Sequence, residues 1–230
     1  MTNTQEDAPQ DKAMRDDVYN GIRSSLARGR FAPGEKLVLR QLAQEFGVSL
    51  TPVREALHRL IAEGVLTQEH SRSVRVPVLS SEKILELRDI RMLLECHAVE
   101  KAAERITAPE LKKLERLTKE IYAAREAGDV AVDAQKMIEF QFLLYGACRM
   151  PVLLRHIEML WLQTGPYIRL LYPMFVNHVQ EVRPRWRYEM CDALREHDAA
   201  KARKIIEPDI YEALGYLSNV VGAVKLIRSD

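Results

Sequence analysis

The segment from Gly34 to Pro77 constrains the fold more than any other part of the chain. Two short apolar-periodic stretches, Leu39 to Phe46 and Leu50 to Glu63, flank a tight turn at Phe46-Gly47-Val48-Ser49. Helical spacing puts Leu42, Ala43 and Phe46 on one face of the first, and Val53, Ala56, Leu57 and Leu60 on one face of the second. Gly64 follows in the position favoured just beyond a helix end. Val65 to Gln68 and Val74 to Pro77 then alternate like strands, joined by the basic connection Glu69-His70-Ser71-Arg72-Ser73. Two helices at a tight turn and a hairpin after them predict a winged helix-turn-helix, whose second helix enters the DNA major groove.

The flanking sequence sets the organisation. Residues 1–11 are polar and read as a disordered tail. A first helix is expected from Lys12 to Arg28, with Val18, Ile22, Ser25 and Leu26 inward and Gly29 as its stop. This gives a DNA-binding domain over 12–77 and a linker over 78–82, with Ser81 as the N-cap of the next helix. From 83 to 230 the patterning is helical throughout, with helices expected at about 82–105, 109–127, 131–147, 151–173, 177–196 and 199–222. Pro184 and Pro208 fall inside helical patterns and predict kinks or local starts. The fold class is mainly α: an N-terminal winged helix-turn-helix and a C-terminal all-α antiparallel bundle.

Composition excludes several alternatives. Residues 12–77 carry 11 Lys and Arg against 7 Asp and Glu, an excess of four positive charges, whereas 78–230 balance at 23 of each. A basic head on a neutral body suits a nucleic-acid partner. No apolar run is long enough to span a bilayer, and the polar start has no signal-peptide pattern. The three cysteines, Cys96, Cys148 and Cys191, lie in apolar-periodic segments without CxxC pairing, which points to buried thiols in a reducing cytoplasm. No nucleophile elbow, phosphate loop, HExxH or dinucleotide loop is present, so no enzyme is expected.

The second helix of such a motif presents its first residues to base edges, here Ser49, Leu50, Thr51, Pro52 and Arg54. Ser49 and Thr51 suit phosphates or bases, and Arg54 suits the paired acceptors of a guanine edge. Arg40, at the start of the preceding helix, faces the same groove and suits a phosphate or a guanine. His70, Ser71 and Arg72 in the wing are placed for the minor groove or backbone. The competing reading makes Ser49 a plain N-cap and pairs Arg54 with Glu55 or Glu45.

The run Pro33-Gly34, Leu42-Ala43, Phe46-Gly47-Val48-Ser49, Thr51-Pro52-Val53-Arg54-Glu55-Ala56-Leu57, Glu63-Gly64 resembles the bacterial GntR family of transcription regulators. The helical remainder resembles the FadR-type subfamily with its ligand-binding FCD domain. Its Arg-x-x-Leu-Glu signature falls on Arg91, Leu94 and Glu95. Leu50 stands where the family usually has an Arg. It offers a thymine methyl an apolar contact and cannot donate to guanine, so the operator is expected to differ at that step.

Many members of that subfamily bind a divalent metal through an Asp and a His four residues apart and two later His. By resemblance those positions are Met137, Gln141, Arg187 and Asp209 in this chain. A cationic Arg187 repels a metal, so no metal cofactor is expected. In this fold Arg91, Gln141 and Arg187 are expected to converge on one cavity, where an Arg can bind a carboxylate bidentately. The competing reading pairs Arg187 with Asp209 or Glu139 and fills the cavity.

The resemblance therefore implies a cytoplasmic, homodimeric regulator, a repressor by default, that binds a pseudo-palindromic double-stranded operator. A small organic acid in the bundle, bound by Arg91, Met137, Gln141, Arg187 and Asp209, would shift the spacing of the two heads. The alternatives are a metal-responsive regulator of the same family and a ligand-blind DNA-binding dimer.

Overall fold

The structure, a computed structural model, describes residues 9–69, 73–167 and 183–227. Its elements in chain order are α1 (Pro9–Ala27), β1 (Lys36–Leu37), α2 (Leu39–Phe46), α3 (Leu50–Ala62), β2 (Thr67–Gln68) and β3 (Val74–Arg75). There follow α4 (Ser81–Arg105), α5 (Ala108–Glu126), α6 (Val130–Gly146), α7 (Pro151–Thr164) with a 3-10 turn at Gly165–Tyr167, α8 (Trp186–Arg195) and α9 (Ala199–Ile227). Contacts divide the chain into two compact units. The first runs to Val78 and includes Trp161–Tyr167; the second begins at Leu79 and holds the rest.

In the first unit, Val18, Ile22 and Leu26 of α1 pack with Val53, Leu57 and Leu60 of α3, and with Val65 and Leu66 beyond it. Tyr19 ties the same two helices at the surface: its hydroxyl donates to Glu63 at 2.7 Å, and the Arg59 guanidinium lies 3.8 Å from its ring centroid. The three strands form an antiparallel sheet in the order β1-β3-β2, with Leu37 opposite Val74 and Gln68 opposite Val74 on the other side. Strand β1 has no counterpart in the sequence reading, because two residues are too few to show alternation.

Leu162 also belongs to this core, and Tyr167 donates to the Pro77 carbonyl at 3.3 Å. Gly165 sits so close to the end of α1 that a Cβ there would lie 2.6 Å from the Leu26 carbonyl oxygen and 2.8 Å from Ala27 Cα. Residues Trp161–Tyr167, expected in the helical domain, are thus packed into the head. The helix expected to run from 151 to 173 gives way to the 3-10 turn after Thr164; residues 168–173, like the start of the next expected helix, lie outside the described residues.

In the second unit the long helices α4 and α9 pack together. They run antiparallel: Ser81 at the start of α4 hydrogen-bonds Ser218 late in α9, and Arg203 early in α9 pairs with Glu100 late in α4 at 3.0 Å. Helix starts are fixed by side chains. Ser80 accepts from Lys83 N at 3.2 Å, Asp129 accepts from Val132 N at 3.1 Å, and Thr107 with Glu110 forms a capping box. The N-cap of α4 is therefore Ser80, one residue before the expected Ser81. Of the two suspect prolines, Pro184 precedes the start of α8, and Pro208 lies within α9. Cys96, Cys148 and Cys191 are buried free thiols, and no described helix is long and apolar enough to cross a membrane.

Gly165→Ala forces its methyl against backbone, which cannot rotate away. Overpacking of this kind costs about 1–3 kcal/mol, so the midpoint of urea unfolding is expected to fall. An unchanged midpoint would contradict the close approach.

Candidate DNA-binding face and buried anion site

The turn between α2 and α3 is built on Gly47, whose φ of 65° lies in the left-handed region that side chains resist. Its backbone N–H caps α2 on the carbonyls of Ala43 and Gln44. Ser49 then occupies the N-cap of α3 with extended backbone, yet its side chain makes no capping bond. Its hydroxyl is therefore available to a ligand, as are the first backbone N–H groups of α3.

Ser49, Leu50, Thr51, Arg54 and Arg40 are all exposed. Leu50 is 39% exposed at the start of α3. The acids that could have neutralised Arg54 are engaged elsewhere: Arg30 holds Glu45 at 2.7 Å, and Arg15 holds Glu55 at 3.0 Å. Neither Arg40 nor Arg54 forms an ion pair among the described residues. Pro52, expected to face the groove, is buried with Val53 against the core. It fixes the start of α3 and does not present itself to DNA. His70, Ser71 and Arg72 lie outside the described residues.

The second unit holds a set of buried charges. Asp133, Met137, Gln141 and Tyr145 follow at four-residue spacing along one face of α6. Asp133, Gln141 and Tyr145 are buried, and Met137 is half-buried. At one end Arg125 of α5 donates from Nε to Asp133 at 2.7 Å. At the other, Tyr145 donates to Glu95 of α4 at 2.6 Å, and Arg91 donates to the same carboxylate at 2.5 Å. Burial, with the Glu95 charge beside it, holds the Tyr145 hydroxyl far above its usual range, so it stays a donor.

Arg187 of α8 faces this row. It is 2% exposed, and its guanidinium carbon lies 4.2 Å from the Trp186 ring centroid and 5.7 Å from that of Phe140. Phe140 and Trp186 meet edge to face with centroids 6.1 Å apart, which brings α6 and α8 together beside Gln141. Arg187 Nε and Nη1 are buried without a hydrogen-bond partner. Burial, then the neighbouring Arg125 charge, brings its pKa down to about 10, with Asp209 and Asp133 opposing. The guanidinium remains charged at neutral pH.

Neither expected partner neutralises Arg187. Glu139 is exposed and bonded to Gln135 at 3.0 Å and Lys136 at 3.3 Å. Asp209, its side chain 15% exposed, lies 3.9 Å from Arg183 Nη2, whose nearer partner is Glu212 at 2.9 Å. Burial raises the Asp209 carboxyl above its usual range, against the pull of Arg187, Arg183 and Arg125. Gln141 Oε1 and Asp133 Oδ1 are likewise buried without a partner. The Tyr122 hydroxyl, beside the Arg187 backbone, also lacks a hydrogen bond of ordinary geometry.

Of the residues expected around an effector, Gln141, Arg187 and Asp209 belong to this set. Arg91 is instead engaged with Glu95, one turn along its own helix. Arg125, Asp133, Tyr122 and Arg183 were not foreseen. Asp133 had a signal: it continues the four-residue spacing of Met137 and Gln141 by one step. The set does not suit a divalent metal, since a guanidinium and a carboxamide stand at two positions and a thioether at a third. Among the described residues no three His, Cys, Asp or Glu are grouped to hold a metal ion.

A helix-turn-helix head with free arginines, and a helical body around a buried unpaired cation, define a ligand-responsive DNA-binding regulator. Comparison with known proteins agrees. The profile of "Bacterial regulatory proteins, gntR family" matches residues 14–76, and that of the FCD domain matches residues 86–210. The HTH-type transcriptional regulator McbR of Escherichia coli (strain K12) is 34% identical over 155 residues, covering 67% of this chain and 70% of that protein. The gluconate operon transcriptional repressor of Bacillus subtilis (strain 168) is 28% identical over 171 residues, covering 73% of this chain and 65% of that one. The solved structure of E. coli McbR/YncC superposes with a TM-score of 0.79 at 28% identity, covering 90% of this chain and 96% of that chain. The chain belongs to the GntR family of transcription regulators, with a C-terminal FCD domain, as in the FadR-like subfamily.

A buried polar group left unsatisfied costs about 1–3 kcal/mol, more when charged. Arg187→Met keeps the apolar stem and removes the charge. Its melting temperature in acid-free buffer is expected to rise by roughly 2–10 °C. A fall would show that Arg187 is compensated after all.

Proposed function

We propose that this regulator is a homodimeric repressor acting in the cytoplasm, which reads a pseudo-palindromic operator through α3 and releases it when a small carboxylate binds at Arg187. The single observation that carries the ligand assignment is the Arg187 guanidinium, buried with Nε and Nη1 unpartnered. A carboxylate oxygen can accept from either group, and the charge on Arg187 favours an anion. A buried cation with Nε and Nη1 open is hard to account for by packing alone. Effector control then follows from differential affinity: the acid favours whichever state of the protein offers it the better site.

The DNA assignment rests on Ser49, Thr51 and Arg54, exposed at the start of α3, and on Arg40, exposed at the start of α2. Leu50 replaces base-reading hydrogen bonds with an apolar contact. Dimerisation is supported by Leu93, 70% exposed on α4 with Ile90 at 37% one turn before it.

Arg54→Ala is expected to weaken operator binding in a gel shift by roughly 5- to 150-fold, the range of one guanine contact. Its circular dichroism should not change, since Arg54 is exposed. Operator affinity equal to that of the unaltered protein would remove Arg54 from the interface. For the effector, a thermal-shift screen of mono- and dicarboxylic acids in chelator is expected to find stabilisation by mass action. Stabilisation by a divalent metal alone, and by no acid, would overturn the carboxylate assignment.

A further inference from the structure

The unpartnered atoms around Arg187 are of two kinds. Arg187 Nε and Nη1 are donors; Gln141 Oε1 and Asp133 Oδ1 are acceptors. A simple carboxylate answers only the donors. It would leave the Gln141 and Asp133 oxygens buried and unsatisfied, and its own oxygens would only repel them.

Resting on the carboxylate reading above, we propose that the effector is a hydroxy acid: its carboxylate is held by Arg187, and a hydroxyl is received by Gln141, with Asp133 further along α6 open to a second hydroxyl. The acceptors have their place in this assignment. Asp133 and Gln141 are eight residues apart on one face of α6, a rise of about 12 Å. Phe140, next to Gln141, touches the ring of Trp186, next to Arg187. The Asp133 charge is felt at Arg187, and its second oxygen is fixed by Arg125.

The donor is a hydroxyl and not an ammonium because a hydroxyl both donates and accepts, so it satisfies the Gln141 carboxamide in either orientation of that group, whereas an ammonium only donates. The Tyr122 hydroxyl, itself able to do both, suits the same ligand.

The test is calorimetric titration of the full-length protein with matched acids: lactate against propionate and alanine, malate against succinate and aspartate, gluconate against hexanoate. At least one hydroxy acid is expected to bind about tenfold or more tightly than its deoxy partner and its amino partner, where one exists. Gln141→Leu should bring that ratio near one while retaining affinity for the deoxy acid. Its melting temperature without ligand should be unchanged or higher, because it removes an unsatisfied buried group. Deoxy acids binding as tightly as hydroxy acids would overturn the hydroxyl assignment and leave the carboxylate reading standing. An amino acid binding most tightly would do the same. If none of the acids binds, the carboxylate reading falls and this inference with it. Should Gln141→Leu fail to fold, Gln141→Met with the same pairs gives the ratio.

Discussion

A guanidinium withdrawn from water and left short of hydrogen bonds is the arrangement on which the rest of the second unit turns. Arg187 keeps its charge because deprotonating an arginine is harder still. The fold surrounds it with groups that moderate a buried cation without quenching it: the Trp186 and Phe140 rings against its faces, and Asp209 and Asp133 near enough to attract but not to bond. A direct ion pair would have lowered the cost of burying the charge. Neighbouring cations, buried or half-buried, are treated differently. Arg125 has Asp133, Arg91 has Glu95, and Arg183 has Glu212. Set among these carboxylate pairs, the unpartnered Nε and Nη1 of Arg187 are what motivate the proposed site.

The head shows the same economy at its surface. Arginines that serve structure are paired: Arg30 with Glu45, Arg15 with Glu55, Arg59 with Glu63. Those pairs consume the acids on α2 and α3 and leave Arg40 and Arg54 uncompensated beside an uncapped helix start. The local field there is positive although the chain as a whole carries a formal charge of only +1. Affinity for a polyanion follows from that local pattern and not from the total.

Legibility in the sequence followed the range of the interactions. The α2–α3 turn is local chemistry, with Gly47 in a left-handed conformation and apolar residues at helical spacing, and it could be read directly. Caps are local too, and the error of one residue at Ser80 against Ser81 reflects two adjacent serines equally able to cap. Strand β1 escaped because a two-residue strand exists only through its pairing with β3. Trp161–Tyr167 escaped because nothing in a helical period says which core a helix end will join; the smallness of Gly165 marks that contact only once the neighbouring backbone is in place. Pro52 was misread because its place beside Thr51 and Arg54 in the chain says nothing of its direction, and the third residue of α3 turns inward. Within the body, Arg187 and Gln141 were reached through positions inherited from related proteins. Arg125 and Arg183 were not, since a charged residue on a helix reads as surface until its neighbours are known.

The pairing of unsatisfied donors with unsatisfied acceptors in one site bears on how such a site changes without loss of the fold. If Met137, Gln141, Arg187 and Asp209 stand where related proteins place metal ligands, then exchanging an ion for a guanidinium preserves a positive centre for an acid. It also changes the demands on the groups around that centre. A metal takes donors from several directions, held by the groups behind its ligands. A guanidinium donates only in its own plane, so a polar group that it does not engage, such as Gln141, would be free to select among acids. On the proposed assignment specificity would lie in the surroundings of Arg187, where a single substitution on α6 would alter the choice of acid while Arg187 holds the carboxylate.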